Sequence, residues 1–259
     1  MKKFNILYGL TCLFFYCLCA SVRADTVTIL ADEWYPMNGS PNASNPGYMV
    51  EVAQQILEAH GHTLDYRLVP WNRSIIEVRK GNADCIFGAY KTDAIDFIFP
   101  AEPLGKVEFT FYAHHNFDWT YQGLDSLSSI RLGVISGYSY SPEIDSYIKK
   151  NRNRPSVQLM TGEKALEKNI RKLMANRIDV IVEFEQVMRE KLMQLELVSK
   201  LKSVGSLIPA EYIYIACSPN KESSSYYTQL FSQGILSLRK SGELKKILDK
   251  YGLRDWQLE

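Results

Sequence analysis

The chain has 259 residues, of which 46% are hydrophobic, 12% aromatic and 23% charged, and its formal net charge is +1. This composition is typical of a globular protein. The near-neutral charge argues against a nucleic-acid partner, which would need a basic surface.

The N-terminus has the pattern of a secretory signal peptide. Lys2 and Lys3 form a basic start, residues 6–20 are apolar and almost uncharged, and residues 22–24 place small side chains where a signal peptidase cleaves. The apolar run is shorter than the ~20 residues that a membrane-spanning helix needs. We therefore expect residues 1–24 to be a cleaved signal peptide and the product to be exported and soluble.

Cleavage after residue 24 would leave 235 residues, enough for one large domain or two smaller lobes. It would remove three basic residues, so that 27 basic residues would face 29 acidic ones, a net charge of −2. Of the five cysteines, Cys85 and Cys217 would remain. In an oxidising compartment they could form a disulfide, or they could stay as separate buried thiols; composition leaves both open.

Strand and helix patterns alternate along the chain after residue 25. β-Branched and apolar runs predict strands, and apolar residues at helical spacing predict the helices between them. Ser141 supplies an N-cap, Pro142 a first-turn proline and Glu143 an acid at the start of one helix. The alternation predicts an α/β fold with open, parallel-rich sheets. Strands are predicted at 26–32, 64–70, 84–90, 108–115, 130–137, 157–160 and 177–184, and helices at 49–57, 72–78, 142–150, 166–174, 225–240 and 243–251.

Several segments, in this order, resemble the family 3 extracellular solute-binding proteins, the periplasmic polar amino-acid-type receptors of ABC importers. The resemblance runs from residue 26 to the C-terminus, and its strength lies in the order and spacing of the segments together with the export signal. The segments are GYMVEVAQQI at 47–56, VPWNRSIIEVRKGNADCIFGA at 69–89, RLGVISGYSY at 131–140, NRIDVIVE at 176–183 and SLRKSGELKKILDKYG at 237–252.

The resemblance implies a type II periplasmic-binding-protein fold of two lobes, each an open, mostly parallel sheet flanked by helices. Lobe 1 would comprise residues 25–112 and 213–259, and lobe 2 residues 113–212. The two hinge crossovers would fall near residues 111–112 and 210–214. Ligand would be captured between the lobes by hinge closure.

The implied function is that of a periplasmic, monomeric receptor, without cofactor or catalytic residues, that binds a small polar or anionic solute. An amino-acid-like compound or an organic acid would fit, and the partner would be an ABC permease in the inner membrane. Two alternatives remain. One is a soluble sensor for a membrane receptor. The other is an enzyme similar to cyclohexadienyl dehydratases, for which Glu183 or Asp32 would be the acid.

Ligands of such folds lie outside the carboxyl ends of the strands. The candidate ligand-binding residues are Trp34, Tyr35, Trp71, Arg73, Tyr90 and Lys91 in lobe 1, with Tyr138, Ser139 and Glu183 in lobe 2. The aromatic side chains could stack on a ligand or simply pack in the core. Glu183 could bind a ligand cation or pair with a nearby base.

Three positions differ from the residues with which members of this family usually bind an α-amino acid. Ile95 stands where the arginine that binds the ligand carboxylate is usual, Phe184 where an acid is usual for the ligand ammonium, and Met49 where a further acid is common. A standard α-amino acid is therefore disfavoured. Arg73 is our first candidate to replace the missing cation and Lys91 the second, although either could be a surface residue.

Other chemistry finds little support in the sequence. His60 and His62, and the adjacent His114 and His115, lack a thiol or acid cluster at metal-ligand spacing, so we expect no metal site. No phosphate-binding loop, dinucleotide-binding glycine motif or nucleophile elbow is present.

The implied topology bears on the two cysteines. It sets the strand that returns from lobe 2, residues 211–219, antiparallel to the strand at 84–90. Cys85 and Cys217 would then be neighbours at the sheet end remote from the cleft, where a disulfide is possible.

Overall fold

The computed structural model describes residues 24–257, which form an α/β protein. The predicted signal peptide lies almost entirely outside the described residues and stays a prediction. Within the described part, no helix is long and apolar enough to cross a membrane. The strands are β1 (Thr26–Ala31), β2 (Thr63–Leu68), β3 (Cys85–Ala89), β4 (Gly105–Val107), β5 (Phe109–His114), β6 (Leu132–Ile135), β7 (Val157–Met160), β8 (Val180–Phe184), β9 (Leu201–Ser206) and β10 (Glu211–Cys217). The helices are α1 (Tyr48–Glu58), α2 (Trp71–Arg79), α3 (Pro142–Asn151), α4 (Ala165–Met174), α5 (Glu185–Gln194), α6 (Ser224–Ser241) and α7 (Glu243–Lys250), and Leu124–Ser129 is a short 3₁₀ helix.

The strands form two five-stranded sheets with the same arrangement. The first sheet has the order β2-β1-β3-β10-β4 and the second has the order β7-β6-β8-β5-β9. In each sheet the first three strands are parallel, and the fourth runs against its neighbours on both sides. The predicted α/β fold of two open, mostly parallel sheets is thereby confirmed.

The chain changes sheet twice. It leaves the first sheet after Val107 and enters the second at Phe109, so the first crossover lies at Glu108. This is earlier in the chain than the predicted crossover at 111–112, because β5 pairs with β8 from its first residue, Phe109. The return lies between Ser206 and Glu211, at the start of the predicted range 210–214. We use "lobe 1" and "lobe 2" for the first and second sheets with the helices that flank them.

Buried apolar clusters lie on both faces of the first sheet, which explains why β1 and β3 are mostly buried. On α1, residues at helical spacing, including Met49 and Ile56, are buried against the sheet. Gly234 on α6 allows the two helices to approach, because an added Cβ there would lie 2.6 Å from Ile56. Met49, the residue that replaces a common acid, is therefore a core residue with no exposed surface.

Cys85 and Cys217 are paired opposite each other on β3 and β10 and form a disulfide. Both residues are fully buried. Cys85 is the first residue of β3, so the bond lies at the opposite end of the strand from the Gly88 turn. The prediction that the two cysteines are neighbours is confirmed, and so is the possible disulfide.

We expect the double substitution Cys85→Ala/Cys217→Ala to lower the free energy of unfolding by about 2–5 kcal/mol, since the bond closes a loop across 132 sequence positions. Guanidinium denaturation of the variant and of the oxidised and reduced wild type would measure the change. The reduced wild type should approach the variant. Equal stability of the oxidised and reduced proteins would show that the bond does not stabilise the fold.

Candidate functional site

A cavity lies between the lobes, where the carboxyl ends of β1, β3 and β6 meet. Its volume of about 30 Å³ has room for roughly two water molecules. We call it the inner cavity. It is lined by Asp32, Trp34, Asn38, Trp71, Phe87, Gly88, Tyr90, Asp93, Phe109, Tyr138 and Ser139.

A larger space adjoins the inner cavity and opens towards solvent. This outer groove has a volume of about 510 Å³ and is lined by residues of both lobes, including Glu33, Arg73, Glu163, Glu183 and Lys191. Four residues, Asp32, Trp34, Trp71 and Tyr138, line both spaces. They therefore form the partition between the inner cavity and the outer groove.

Asp32 follows β1 in lobe 1 and contacts lobe 2. The hydroxyl of Tyr138 donates a hydrogen bond of 2.5 Å to Asp32 Oδ2. Burial of the carboxyl raises the pKa of Asp32 to about 6, although the hydrogen bond from Tyr138 favours the charged form and opposes that rise. The bond thus links closure of the lobes to the charge of this carboxyl.

Glu183 makes the corresponding contact in the other direction, from β8 of lobe 2 to lobe 1. Its residue surface is 0% exposed, and its Oε1 accepts hydrogen bonds from Trp34 Nε1 at 3.0 Å and from the Phe184 N–H at 2.8 Å. Among the described residues, Glu183 Oε2 has no hydrogen-bond partner. Burial raises the pKa of Glu183 to about 7, and the nearby Asp32 carboxyl adds to the rise.

Asp93 is the third acid of the cleft and follows β3. Its Oδ2 accepts a 2.9 Å hydrogen bond from the Tyr90 N–H, and Ser139 of lobe 2 lines the same cavity. Burial raises the pKa of Asp93 to about 6. In lobe 2, Asp145 similarly accepts from the Tyr140 N–H at 3.0 Å. These N–H groups at the strand ends are therefore occupied by the protein's own carboxyls.

Two further contacts hold the lobes together at the mouth of the cleft. Lys191 Nζ lies 3.0 Å from Glu33 Oε1, and Asn72 Nδ2 donates to the carbonyl of Ser136 at 3.3 Å. Gly137 has a φ of 86°, and an added Cβ there would lie 1.9 Å from Asn72 Oδ1. Only glycine therefore fits this position. Together, the two contacts between the lobes keep the cleft closed in this structure.

The two cations predicted to replace the missing arginine lie outside the inner cavity. The side chain of Arg73 is 73% exposed, with Nε 3.9 Å from Glu77 Oε1, and it borders only the outer groove. Lys91 is exposed and its Nζ lies 4.8 Å from the centre of the Tyr214 ring. In the part of the chain that the structure describes, no Lys, Arg or His lines the inner cavity.

The other predicted residues divide into two groups. Tyr35 packs against Tyr251 with ring centres 6.0 Å apart and does not line the inner cavity, and Glu183 lies behind Trp34 on the outer groove. The structure brings together in the inner cavity the predicted residues Trp34, Trp71, Tyr90, Tyr138 and Ser139.

The structure also shows where the residues that differ from the family pattern lie. Ile95 is 87% exposed and faces away from the cavity, whereas Phe184 is buried with its ring 6.0 Å from that of Trp34. Ile95 is therefore not part of the cavity wall, although it occupies the position where an arginine is usual. The cleft of this chain is built around its acids and aromatic rings instead.

Six lining residues are not among the candidate ligand-binding residues: Asp32, which was considered only as the acid of an enzyme, and Asn38, Phe87, Gly88, Asp93 and Phe109. The two phenylalanines are in apolar strand runs and carry no signal that separates them from core residues. Asp93 had a signal, because it follows the glycine turn at the end of a buried strand. The histidines have ordinary partners, such as Tyr226 for His62, and residues 24–257 contain no group of three metal-ligand side chains.

No protein-family model and no curated protein sequence matches the chain. Solved structures match its fold. A histidine kinase sensor domain with similarity to periplasmic binding proteins has a TM-score of 0.73 at 21% identity, over 88% of this chain and 96% of that one. A structure concerning glutathione import by GshT and a cystine ABC importer of Streptococcus mutans has a TM-score of 0.75 at 17% identity, over 90% and 99%. A solute receptor for L-cysteine of Neisseria gonorrhoeae has a TM-score of 0.68 at 20% identity, over 87% and 89%. The likeness shows the two-lobe fold of periplasmic binding proteins.

We expect Glu183→Gln to stabilise the protein at pH 8 by about 1–3 kcal/mol and to change its stability little at pH 5. The folded-state pKa of about 7 lies above the ordinary 4.5, so this carboxyl favours folding at low pH and the benefit is lost as pH rises through 7. Glutamine keeps the acceptor for Trp34 and carries no charge. Urea denaturation at both pH values measures the effect, and an equal loss of stability at both would contradict it.

We expect Arg73→Ala to change the free energy of unfolding by less than about 0.5 kcal/mol, because the side chain is exposed and its ion pair with Glu77 is long. Ligand affinity should change less than about twofold for the same reason. Isothermal titration calorimetry of any ligand that binds provides the check. A large loss of affinity would return Arg73 to the ligand site.

Proposed function

We propose that the chain is a solute-binding protein that captures a small polar solute between its two lobes by hinge closure. One observation carries the proposal: a cavity lined by both lobes is closed by side-chain hydrogen bonds that cross between them, Tyr138 to Asp32 and Trp34 to Glu183. A cleft at the carboxyl ends of parallel strands is also the usual place for a ligand in open α/β sheets.

Proteins of similar fold support this proposal through what their names record. They include an ancestral arginine-binding protein and an ABC transporter protein from Streptococcus pneumoniae with bound histidine. With the predicted signal peptide, this favours a periplasmic receptor that delivers its solute to an ABC permease in the inner membrane. A second candidate is a soluble sensor, favoured by the similarity to a histidine kinase sensor domain.

We further propose binding without turnover. The raised pKa values of Asp32 and Glu183 are what an enzyme of the dehydratase type would use, so the cleft chemistry keeps that alternative open to test. Incubation of purified protein with a ligand that binds distinguishes the two. Unchanged ligand after prolonged incubation supports a receptor, and a stoichiometric excess of product supports an enzyme.

Closure can be measured with labels on the two lobes. Ile76 on α2 of lobe 1 and Glu163 before α4 of lobe 2 are both exposed, and Glu163 lines the outer groove. Spin labels on Ile76→Cys/Glu163→Cys should show a longer distance without ligand and a shorter one with it, measured by double electron–electron resonance across a panel of polar metabolites.

The matched control is Ile76→Cys/Ser40→Cys, with both exposed positions in lobe 1, whose distance should not change. Closure needs a ligand that binds the closed state better than the open state. A label distance between the lobes that stays constant with every metabolite would argue against capture by closure.

A further inference from the structure

We propose that the solute is a small organic cation, a primary or methylated amine that carries no carboxylate. This inference rests on the proposed solute-binding function and specifies the chemical class of its ligand. It depends on the charges that face the inner cavity, on the donors that are already in use, and on the aromatic rings that line it. Because that cavity has room for roughly two water molecules as it stands, such a ligand would fill it with the lobes further apart than they are here.

The cleft holds negative groups without a matching cation. Asp32 and Asp93 line the inner cavity and Glu183 lies directly behind Trp34, while no basic side chain lines that cavity within residues 24–257. Their pKa values of about 6, 6 and 7 leave the two aspartates mostly charged at pH 7.5. Both aspartates are half-buried and accept hydrogen bonds, from Tyr138 and from the Tyr90 N–H, but no cation faces them in the inner cavity. A bound cation would offset the cost of removing their charges from water.

The donors that would bind a ligand carboxylate are already occupied. The N–H groups of Tyr90, Tyr140 and Phe184 donate to the carboxyls of Asp93, Asp145 and Glu183. The Tyr138 hydroxyl is likewise bonded to Asp32. A ligand carboxylate would therefore meet two or three like charges and few free donors, which is a strong reason for the site to reject it.

Acceptors and ring faces, in contrast, are available. Asp32 and Asp93 line the inner cavity, and Glu183 Oε2, which lies behind Trp34 on the outer groove, has no hydrogen-bond partner among the described residues. The negative face of an aromatic ring attracts ammonium groups, and the attraction grows when the cation is desolvated. Six of the eleven residues that line the inner cavity are aromatic: Trp34, Trp71, Phe87, Tyr90, Phe109 and Tyr138.

The test uses two sets of probes matched in shape. Choline is compared with its neutral analogue 3,3-dimethyl-1-butanol and with glycine betaine, which adds a carboxylate. Butylamine is compared in the same way with 1-butanol and 4-aminobutyrate. Each probe is titrated into the full exported protein by isothermal titration calorimetry at pH 7.5, with wild type, Asp32→Asn, Asp93→Asn and Asp96→Asn.

We expect at least one of the two cations to bind with one-to-one stoichiometry, at least about tenfold tighter than its neutral and carboxylate-bearing analogues, a difference of about 1.4 kcal/mol. Asp32→Asn and Asp93→Asn should each weaken that binding by about tenfold or more. Asp96→Asn is the matched control, because Asp96 lies on the same turn but pairs outward with Arg79. It should leave affinity within about twofold.

Two results would overturn the inference. One is binding of a neutral or carboxylate-bearing analogue as tightly as the cation, which would refute the ligand class and leave solute capture intact. The other is the lack of binding of either cation at millimolar concentration. The label-distance experiment reports on closure separately, so failure of the ligand class and failure of solute capture are distinguishable.

Discussion

Each lobe contributes one carboxyl that is hydrogen-bonded by an aromatic side chain of the other lobe. Asp32 of lobe 1 accepts from Tyr138, and Glu183 of lobe 2 accepts from Trp34. Both bonds cross between the lobes, so separation of the lobes would break them and expose more of both carboxyls to water. The same contacts therefore hold the cleft shut and raise the free energy of its charged groups. Because these two effects oppose each other, the stability of the closed state depends on the charge of a ligand in the cleft.

The carboxyls of the cleft also explain why, with the usual arginine absent, the N–H groups of Tyr90 and Tyr140 still have acceptors. In this chain the strand-end N–H groups are satisfied by Asp93 and Asp145, which are near in sequence to the groups they bind. If a guanidinium were present, an incoming carboxylate would have to compete for it with these internal carboxyls. The cleft is thus an acidic, aromatic site, and its charge is opposite to that of a site in which an arginine binds the carboxylate of an amino acid.

Much of the fold was predictable because it depends on local patterns. The alternation of apolar strands and amphipathic helices gave the α/β class, and the order of segments correctly placed Cys85 beside Cys217. Within the site, Trp34, Trp71, Tyr90 and Tyr138 were found because they follow strand ends. The direction of a side chain on a helix was harder to predict. On α2, Trp71 and Ser74 take the buried positions three residues apart, and this rotation turns Arg73 to solvent.

The contacts that define the site could not be read from the sequence, since they join positions far apart in the chain. Trp34 and Glu183 are separated by 149 positions, and Asp32 and Tyr138 by 106. Their pairing depends on how the two sheets face each other. The first crossover was placed too late for a related reason. β4 was not predicted, and nothing in the predicted strand at 108–115 showed that it pairs within the second sheet.

The bond between Trp34 and Glu183 can be observed directly by nitrogen-15 NMR of the tryptophan indoles. The chain has four tryptophans, and Trp34→Phe assigns the resonance of interest. If the lobes close as described, the Trp34 indole N–H signal should move between pH 5 and pH 8 with a midpoint near 7, the pKa of Glu183, and Glu183→Gln should abolish the movement. An indole signal at the position of a solvent-exposed tryptophan, unchanged across this pH range, would contradict the account.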